Sequence, residues 1–346
     1  MKRNILFIIN PISGGVSKAQ VPKEIARSID SEQFDYTIKE TTYAGEATEL
    51  AHQATEGGVD IVVAVGGDGT VNEVARALVH TPTALAIIPM GSGNGLARHL
   101  LLPMNVRKCI EIINQAIIRP LDYGMINEYP FFCTCGMGFD AFVSMKFAED
   151  SKRGPITYVQ KVLEEGRKYH PETYEITDEE GTQHYKAFLL SVANASQYGN
   201  NFYIAPQASM SDGLLDVVIL EPFDLIDAPL IPIEMLNKTL DKSTHIKTFS
   251  TKHIHVHRSQ PGVIHYDGEP VMTGEDVDIR LIEKGINIVV NPFSSRQHRR
   301  PNAIQTAASE LINQLTAIRE DIQHQTHRGV KLAKMIQKKI EKNLLT

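Results

Sequence analysis

Val59-Asp60-Ile61-Val62-Val63-Ala64-Val65-Gly66-Gly67-Asp68-Gly69-Thr70-Val71-Asn72-Glu73 opens on a nearly continuous apolar run of strand length, breaks at a glycine pair and resumes with a helical period. A run without polar alternation is what a strand covered on both faces requires. The same order occurs twice more. Residues 5–9 are apolar and precede Asn10-Pro11-Ile12-Ser13-Gly14-Gly15, and residues 84–88 are apolar and precede Gly91-Ser92-Gly93-Asn94-Gly95. Apolar residues at three- and four-residue steps predict helices over 18–29, 46–55, 71–79 and 106–117. Strand and helix in alternation predict an open parallel α/β sheet.

In such a sheet the carboxyl ends of the strands border one crevice, so the three glycine segments are expected at a common edge. Glycine lets the main chain approach phosphate oxygens closely, and the helix that follows offers unpaired N–H groups. Together the segments predict a cradle for nucleotide phosphates. Asp68 falls in its middle, where a carboxylate repels phosphate unless a cation intervenes, and Mg²⁺ is the natural bridge. The alternative role for Asp68 is to cap the helix that follows.

Beyond Asp122 short strand-like runs dominate, at 131–135, 187–193, 214–220, 254–256, 277–281 and 286–290, with helical segments near 156–168 and 225–240. These predict a β-rich second domain. The expected organisation is an α/β domain over 1–125, a β-rich domain over 126–295 and a helical extension over 296–346. In the extension, Ile304, Ala308, Leu311, Leu315, Ile318 and Ile322 form a heptad-like seam that either packs on the first domain or joins two subunits as a homodimer. Arg328, Lys331, Lys334, Lys338, Lys339 and Lys342 follow, against the single acid Glu341.

The 346 residues carry 35 Lys and Arg against 41 Asp and Glu, a net charge of -6, which disfavours a general nucleic-acid binder. No apolar run approaches the roughly 20 residues of a transmembrane helix, and Lys2 and Arg3 precede too short a stretch for a signal peptide. Cys109, Cys133 and Cys135 form neither an even disulfide set nor a metal spacing, so a reduced, cytoplasmic protein is expected.

Asn10-Pro11-x-Ser13-Gly14, Gly66-Gly67-Asp68-Gly69-Thr70 with Asn72-Glu73, and Gly91-Ser92-Gly93-Asn94 resemble, in order and spacing, the nucleotide motifs of one group of lipid kinases. That group comprises bacterial diacylglycerol kinases, the catalytic domain of their eukaryotic counterparts, sphingosine kinases and ceramide kinases. Gly136-Met137-Gly138-Phe139-Asp140-Ala141 resembles the opening of its second domain, and Asp267-Gly268-Glu269 its late acidic motif. The likeness runs from about residue 1 to 293.

The resemblance implies a nucleotide domain related to NAD kinase and phosphofructokinase, a β-sandwich second domain, and ATP and lipid meeting between them. It implies ATP contacts from Asn10, Ser13, Gly14, Thr41, Gly66, Gly67, Gly69, Thr70, Asn72 and Ser92. Thr41 stands in a Thr-x-x-x-Gly-Asp-Ala pattern in which Glu46 replaces the aspartate. It implies a structural Mg²⁺ near Ser209, Asp212 and Leu214, a segment that on its own reads as a plain turn. Glu269 matches the proposed general base of the bacterial enzymes, whereas sphingosine kinases assign proton removal to the aspartate that Asp68 matches. Asp267, two residues before Glu269 on one strand, is expected to face the same side and to order the metal network with Asp68.

The implied activity is ATP-dependent transfer of a γ-phosphoryl group to the primary hydroxyl of a membrane lipid. Kinases selective for sphingoid bases resemble one another in an acid two positions after Asp140, where this chain has Phe142. That departure favours diacylglycerol or a similar neutral lipid alcohol. A sphingoid-base or ceramide kinase, an NAD kinase-like enzyme and a catalytically silent lipid-binding regulator are the alternatives. Phe139, Phe142, Met145 and Phe147 either line an acyl pocket or belong to a core. Peripheral membrane contact is expected through the basic tail and Arg296, Arg299 and Arg300, for which a solvated face is the alternative. His253, His255 and His257 share one strand face without an evident carboxylate partner, so a solvent-facing stripe is favoured over zinc.

Overall fold

The computed structural model describes residues 2–15, 18–149, 169–223 and 230–292. They belong to one compact unit, Met1–His298. The expected helix at 156–168, the helical extension with its seam and basic tail, and Arg296, Arg299 and Arg300 lie outside the described residues.

Strands β1 (Arg3–Ile9), β3 (Ile61–Gly66) and β4 (Ala84–Pro89) pair in parallel, with β2 (Phe34–Glu40) added outside β1. Every residue of β3 and β4 is buried, which is why their sequences show no alternation. Only Phe34 of β2 is buried, so this edge strand carries no apolar signature and escapes a sequence reading. Helices α1 (Val21–Ser28), α2 (Glu46–Glu56), α3 (Asp68–Leu78), α4 (Gly95–His99) and α5 (Val106–Gln115) connect them. Pro22 sits in the first turn of α1, and the Asn105 side chain caps α5 through the Lys108 N–H.

The sheet is mixed and does not end at the parallel half. Strand β18 (Asp276–Val289) runs antiparallel to β5 (Ile118–Ile126), which also pairs with β6 (Tyr129–Phe131). The other edge of β18 is shared: Ile288 pairs in parallel with Leu85 of β4, and residues 276–280 pair with β15 (His253–Arg258). Strands β8 (Glu172–Asp178) and β9 (Gly181–Ala187) extend the sheet beyond β15. The runs expected as separate strands at 277–281 and 286–290 are thus one strand. Between them the register shifts, and the Asp122 carboxylate accepts the Lys284 N–H at 2.7 Å. A tertiary partner therefore converts an apparent turn into a bulge.

A second sheet is antiparallel throughout, in the order β14 (Ile246–Thr251), β13 (Leu215–Leu220), β10 (Leu189–Ala193), β7 (Thr134–Gly138), β16 (Gly262–Tyr266) and β17 (Glu269–Thr273). The run expected at 131–135 breaks between β6 and β7, and that at 187–193 breaks at Phe188, whose N–H goes to Leu220. Leu190, Val192, Val217 and Ile264 of this sheet pack with Ile176, Ile254, Val277 and Ile279 of the first in one apolar cluster. Helix α6 (Phe139–Glu149) follows β7 directly. The small ladder β11 (Gln197–Gly199) with β12 (Phe202–Tyr203) and helix α7 (Leu230–Asn237) complete the described elements; α7 takes up part of the helix expected at 225–240.

His253, His255 and His257 do share the exposed face of β15, while Ile254 and Val256 are buried. Contrary to the sequence reading, they have carboxylate partners. Asp276 contacts His255 and His257 at 3.1 and 2.9 Å, and Asp278 contacts His253 at 2.5 Å, because antiparallel pairing lays β18 alongside. Among the described residues no group of three or more His, Cys, Asp or Glu side chains is placed to hold a metal.

At the β5–β6 turn, the Phe131 ring covers Gly124 so closely that an added Cβ would lie 2.0 Å from it. Gly124→Ala is expected to lower stability by about 1–3 kcal/mol through overpacking. A urea midpoint equal to that of the parent protein would contradict this packing.

Candidate active site

The three glycine segments meet through their main chains. An added Cβ on Gly14 would lie 1.9 Å from the Met90 carbonyl oxygen, and one on Gly91 would lie 2.4 Å from Gly67 Cα. Side chains at these positions would push the loops apart, which is the physical need for glycine. Asn10 donates to Thr70 Oγ1 at 3.0 Å and its N–H bonds Val65 O, joining the first segment to the second. Asn94, at φ 53°, accepts the Gly91 N–H and donates back to Gly91 O, closing the third segment on itself.

Asp68 does not cap its own helix; α3 has no side-chain cap. Its carboxylate reaches across the crevice instead. Oδ2 accepts the Asn94 N–H at 2.8 Å and Oδ1 the Gly95 N–H at 2.6 Å, at the start of α4. Asp68 therefore holds the second and third segments together. Asn10, Ser13, Gly14, Gly66, Gly67, Gly69 and Thr70 belong to this cluster of loops, with Ser92 exposed on the third. Thr41 is buried just past β2, its N–H on Ile9 O, and Glu46 accepts the N–H and hydroxyl of neighbouring Thr42 at 2.5 and 2.8 Å.

The acidic motif arrives from the second sheet. Asp267, at φ 48°, and Gly268, at φ 89°, form the turn between β16 and β17. The expectation that Asp267 and Glu269 share one strand face is incorrect, because the left-handed turn sends them in different directions. Asp267 turns inward, accepting the N–H groups of Phe132, Cys133 and Thr134 at 2.7–3.1 Å and Asn72 Nδ2 at 2.9 Å. Asn72 lies on α3, so this bond ties the acidic turn to the glycine loops. Glu269 is exposed, and its Oε1 would be 3.4 Å from a Cβ on Gly69, over the first turn of α3.

Residues 4–126 match the diacylglycerol kinase catalytic domain, and residues 133–292 match the YegS C-terminal NAD kinase beta sandwich-like domain. The chain belongs to the diacylglycerol kinase and YegS-like family of lipid kinases. It is 27% identical to the diacylglycerol kinase of Bacillus subtilis over 79% of this chain and 92% of that one. It is 26% identical to a probable lipid kinase YegS-like protein of Chromohalobacter salexigens over 73% and 84% of the two chains. The crystal structure of a putative diacylglycerol kinase from Bacillus anthracis shares the fold, with a TM-score of 0.70 and 23% identity over 84% of this chain and 98% of that one. No helix among the described residues of this lipid kinase is long and apolar enough to cross a membrane.

Burial raises the pKa of the Asp68 carboxyl; the Gly95 and Asn94 N–H groups oppose this and the Asp267 charge adds to it. Burial likewise raises the Asp267 pKa against its N–H donors. Two crowded carboxylates that disfavour their own charge form a pair that a divalent cation would relieve. Ser209, Asp212 and Leu214 lie in the turn before β13. There Asp212 Oδ1 accepts the Leu214 N–H at 3.2 Å, and Asp122 accepts the Gly213 N–H at 3.1 Å. The exposed Asp212 carboxylate among carbonyl and hydroxyl oxygens has donors of the type a hard cation takes.

Contacts from the second half onto the third glycine segment have no signal in the sequence. An added Cβ on Gly199 would lie 2.8 Å from Gly93, the Asn200 N–H bonds Gly93 O at 3.0 Å, and Arg98 Nε donates to the same oxygen. Beside them, His99 Nδ1 accepts the Ser196 N–H at 3.1 Å, so Nδ1 carries no proton, and burial lowers the His99 pKa to about 4. Between pH 6.5 and 4 the unfolded chain binds a proton at this site that the folded chain refuses. Stability is therefore expected to fall by on the order of 3 kcal/mol as pH drops through that window. The measurement is the difference in unfolding free energy between the parent protein and His99→Gln across pH 4–7. A pH-independent difference would contradict the assignment.

Proposed function

We propose that the protein transfers the γ-phosphoryl group of ATP to the primary hydroxyl of diacylglycerol or a similar neutral lipid alcohol. One observation carries the reading: Asp68, Asp267 and Glu269, from two halves of the chain, gather at the edge where the three glycine segments interlock. The loops' main-chain N–H groups and the start of α3 receive the phosphates. Asp68 is the residue to hold Mg²⁺, which when bound would neutralise charge on the phosphates, and Asp267, taken up by its N–H donors, orders the turn beside it. Glu269, exposed beside α3 and not consumed by backbone donors as Asp267 is, takes the hydroxyl proton.

The choice of a neutral acceptor is supported by the first turns of α6. Asp140 is 8% exposed, accepts the Tyr198 hydroxyl at 2.7 Å and lies against His265, so it is not open to an amine. Phe142 contributes a half-buried ring next to Phe139 and Tyr169, in an aromatic cluster with Phe188; these rings are core. The Bacillus subtilis relative's name, diacylglycerol kinase, points the same way.

The test is phosphorylation of a panel of diacylglycerol, ceramide, sphingosine and NAD by purified protein with ATP and Mg²⁺. Diacylglycerol is expected to be the preferred acceptor, with turnover abolished by EDTA. Glu269→Ala is expected to lower turnover by about 10²–10⁴-fold with an unchanged circular dichroism spectrum. Asp68→Ala is expected to remove nearly all of it. Preferred turnover of sphingosine or NAD would overturn the proposed acceptor, and a fully active Glu269→Ala would remove Glu269 from its role.

A further inference from the structure

Beneath the acidic turn lies a buried imidazole that the proposed phosphoryl transfer does not use. His265 is 2% exposed and sits on β16, two residues before Asp267. Its Nδ1 accepts the Gly268 N–H at 3.4 Å, within the turn itself. An Nδ1 that accepts is unprotonated, so the proton of the neutral ring is on Nε2. Nε2 lies 2.8 Å from Asp140 Oδ2, at an angle outside hydrogen-bond range, and has no other partner among the described residues. Asp140 is fixed in turn by the Tyr198 hydroxyl, whose oxygen also lies 3.0 Å from Ser191 Oγ.

The main chain leaves room for this arrangement at one place only by omitting a side chain. A Cβ on Gly136 would lie 2.7 Å from Asp140 Oδ2 and 3.0 Å from His265 Nε2. The imidazole thus spans from the first turn of α6 to the turn bearing Glu269. Gly268 and Asp267 both adopt left-handed conformations, and Asp267 has its own set of donors. Within the turn, Asp267 is held through its own carboxylate and N–H, and the Gly268 N–H is held by the His265 ring.

We infer that His265 is a positioning residue: its Nδ1 holds the Gly268 N–H and so sets the placement of Glu269 over α3, while burial beside Asp140 and Gly136 confines the ring. The inference rests on Glu269 being the proton acceptor. A general base must lie within hydrogen-bond reach of the proton it takes, and displacement by about 1 Å can cost on the order of 10²-fold in rate. Nucleotide binding depends on the interlocked glycine loops and is not expected to change.

Two substitutions separate the halves of the imidazole. Asn can place its carbonyl oxygen where Nδ1 accepts but does not reach Asp140; Gln can reach Asp140 but leaves Gly268 without its acceptor. For His265→Ala, kcat is expected to fall roughly 10- to 100-fold with the KM for ATP unchanged. His265→Asn is expected to recover most of that loss, and His265→Gln little of it. Hydrogen exchange at the Gly268 amide, read independently of turnover, should be slow in the parent protein and in His265→Asn and fast in the other two.

Equal kcat in all four proteins would overturn the inference, as would uniformly slow exchange at Gly268 or parallel losses in the KM for ATP. Glu269→Gln measured alongside distinguishes the two levels. If it remains fully active, the assignment of Glu269 falls and the inferred catalytic effect of His265 with it. If it is inactive while His265→Ala turns over normally, only the inference about His265 is wrong.

Discussion

Main-chain N–H groups converging on two carboxylates from distant segments are the constraint on which this site depends. Asp68 takes the amides of Asn94 and Gly95, and Asp267 takes those of Phe132, Cys133 and Thr134. Each carboxylate sits at a place where the chain would otherwise leave buried donors unpaired, and an unpaired buried amide is costly. The result is directional: the third glycine segment cannot drift from the second, nor the β6–β7 connection from the acidic turn. Asn72 joins the two arrangements, because its amide reaches from α3 to Asp267.

This wiring has an electrostatic consequence. Donors favour ionised carboxylates and burial disfavours them; for both Asp68 and Asp267 burial is the larger influence. Under the proposed function, the pair is left short of positive charge where the phosphates arrive. A phosphate approaching without a cation would meet two carboxylates; with one, it meets a neutralised surface and the start of a helix. Glu269 stands outside this donor network, exposed over the first turn of α3.

The larger frame serves the same end. Strand β18 lies beside β4 at one end and β15 at the other, so the parallel nucleotide half and the antiparallel half share hydrogen-bonded backbone. A hinge between them would have to break that ladder. The β16–β17 hairpin, on the second sheet, then carries its turn to the glycine loops with little freedom. Gly93 is contacted from the other half by Gly199 and Asn200, which adds a second bridge next to the third segment.

Local sequence determined the parallel strands, the helices between them and the three glycine segments. Burial on both faces writes an unbroken apolar run, and close main-chain approach demands glycine, so both constraints act residue by residue. The family motifs around Asp68 and Glu269 were legible for the same reason. Edge strands β2 and β9 were not, since exposure leaves them no apolar pattern, and residues 277–290 looked like two strands because the cause of the bulge, Asp122, is remote in the chain. Tertiary structure alone decided that Asp68 braces the start of α4 rather than capping its own helix, and that Asp267 and Glu269 part company at a left-handed turn. It alone set His265 between Asp140 and Gly268. The carboxylate contacts of Asp68, Asp267 and Asp140 pair groups separated by many residues, and sequence proximity carries no record of which donor a carboxylate will meet.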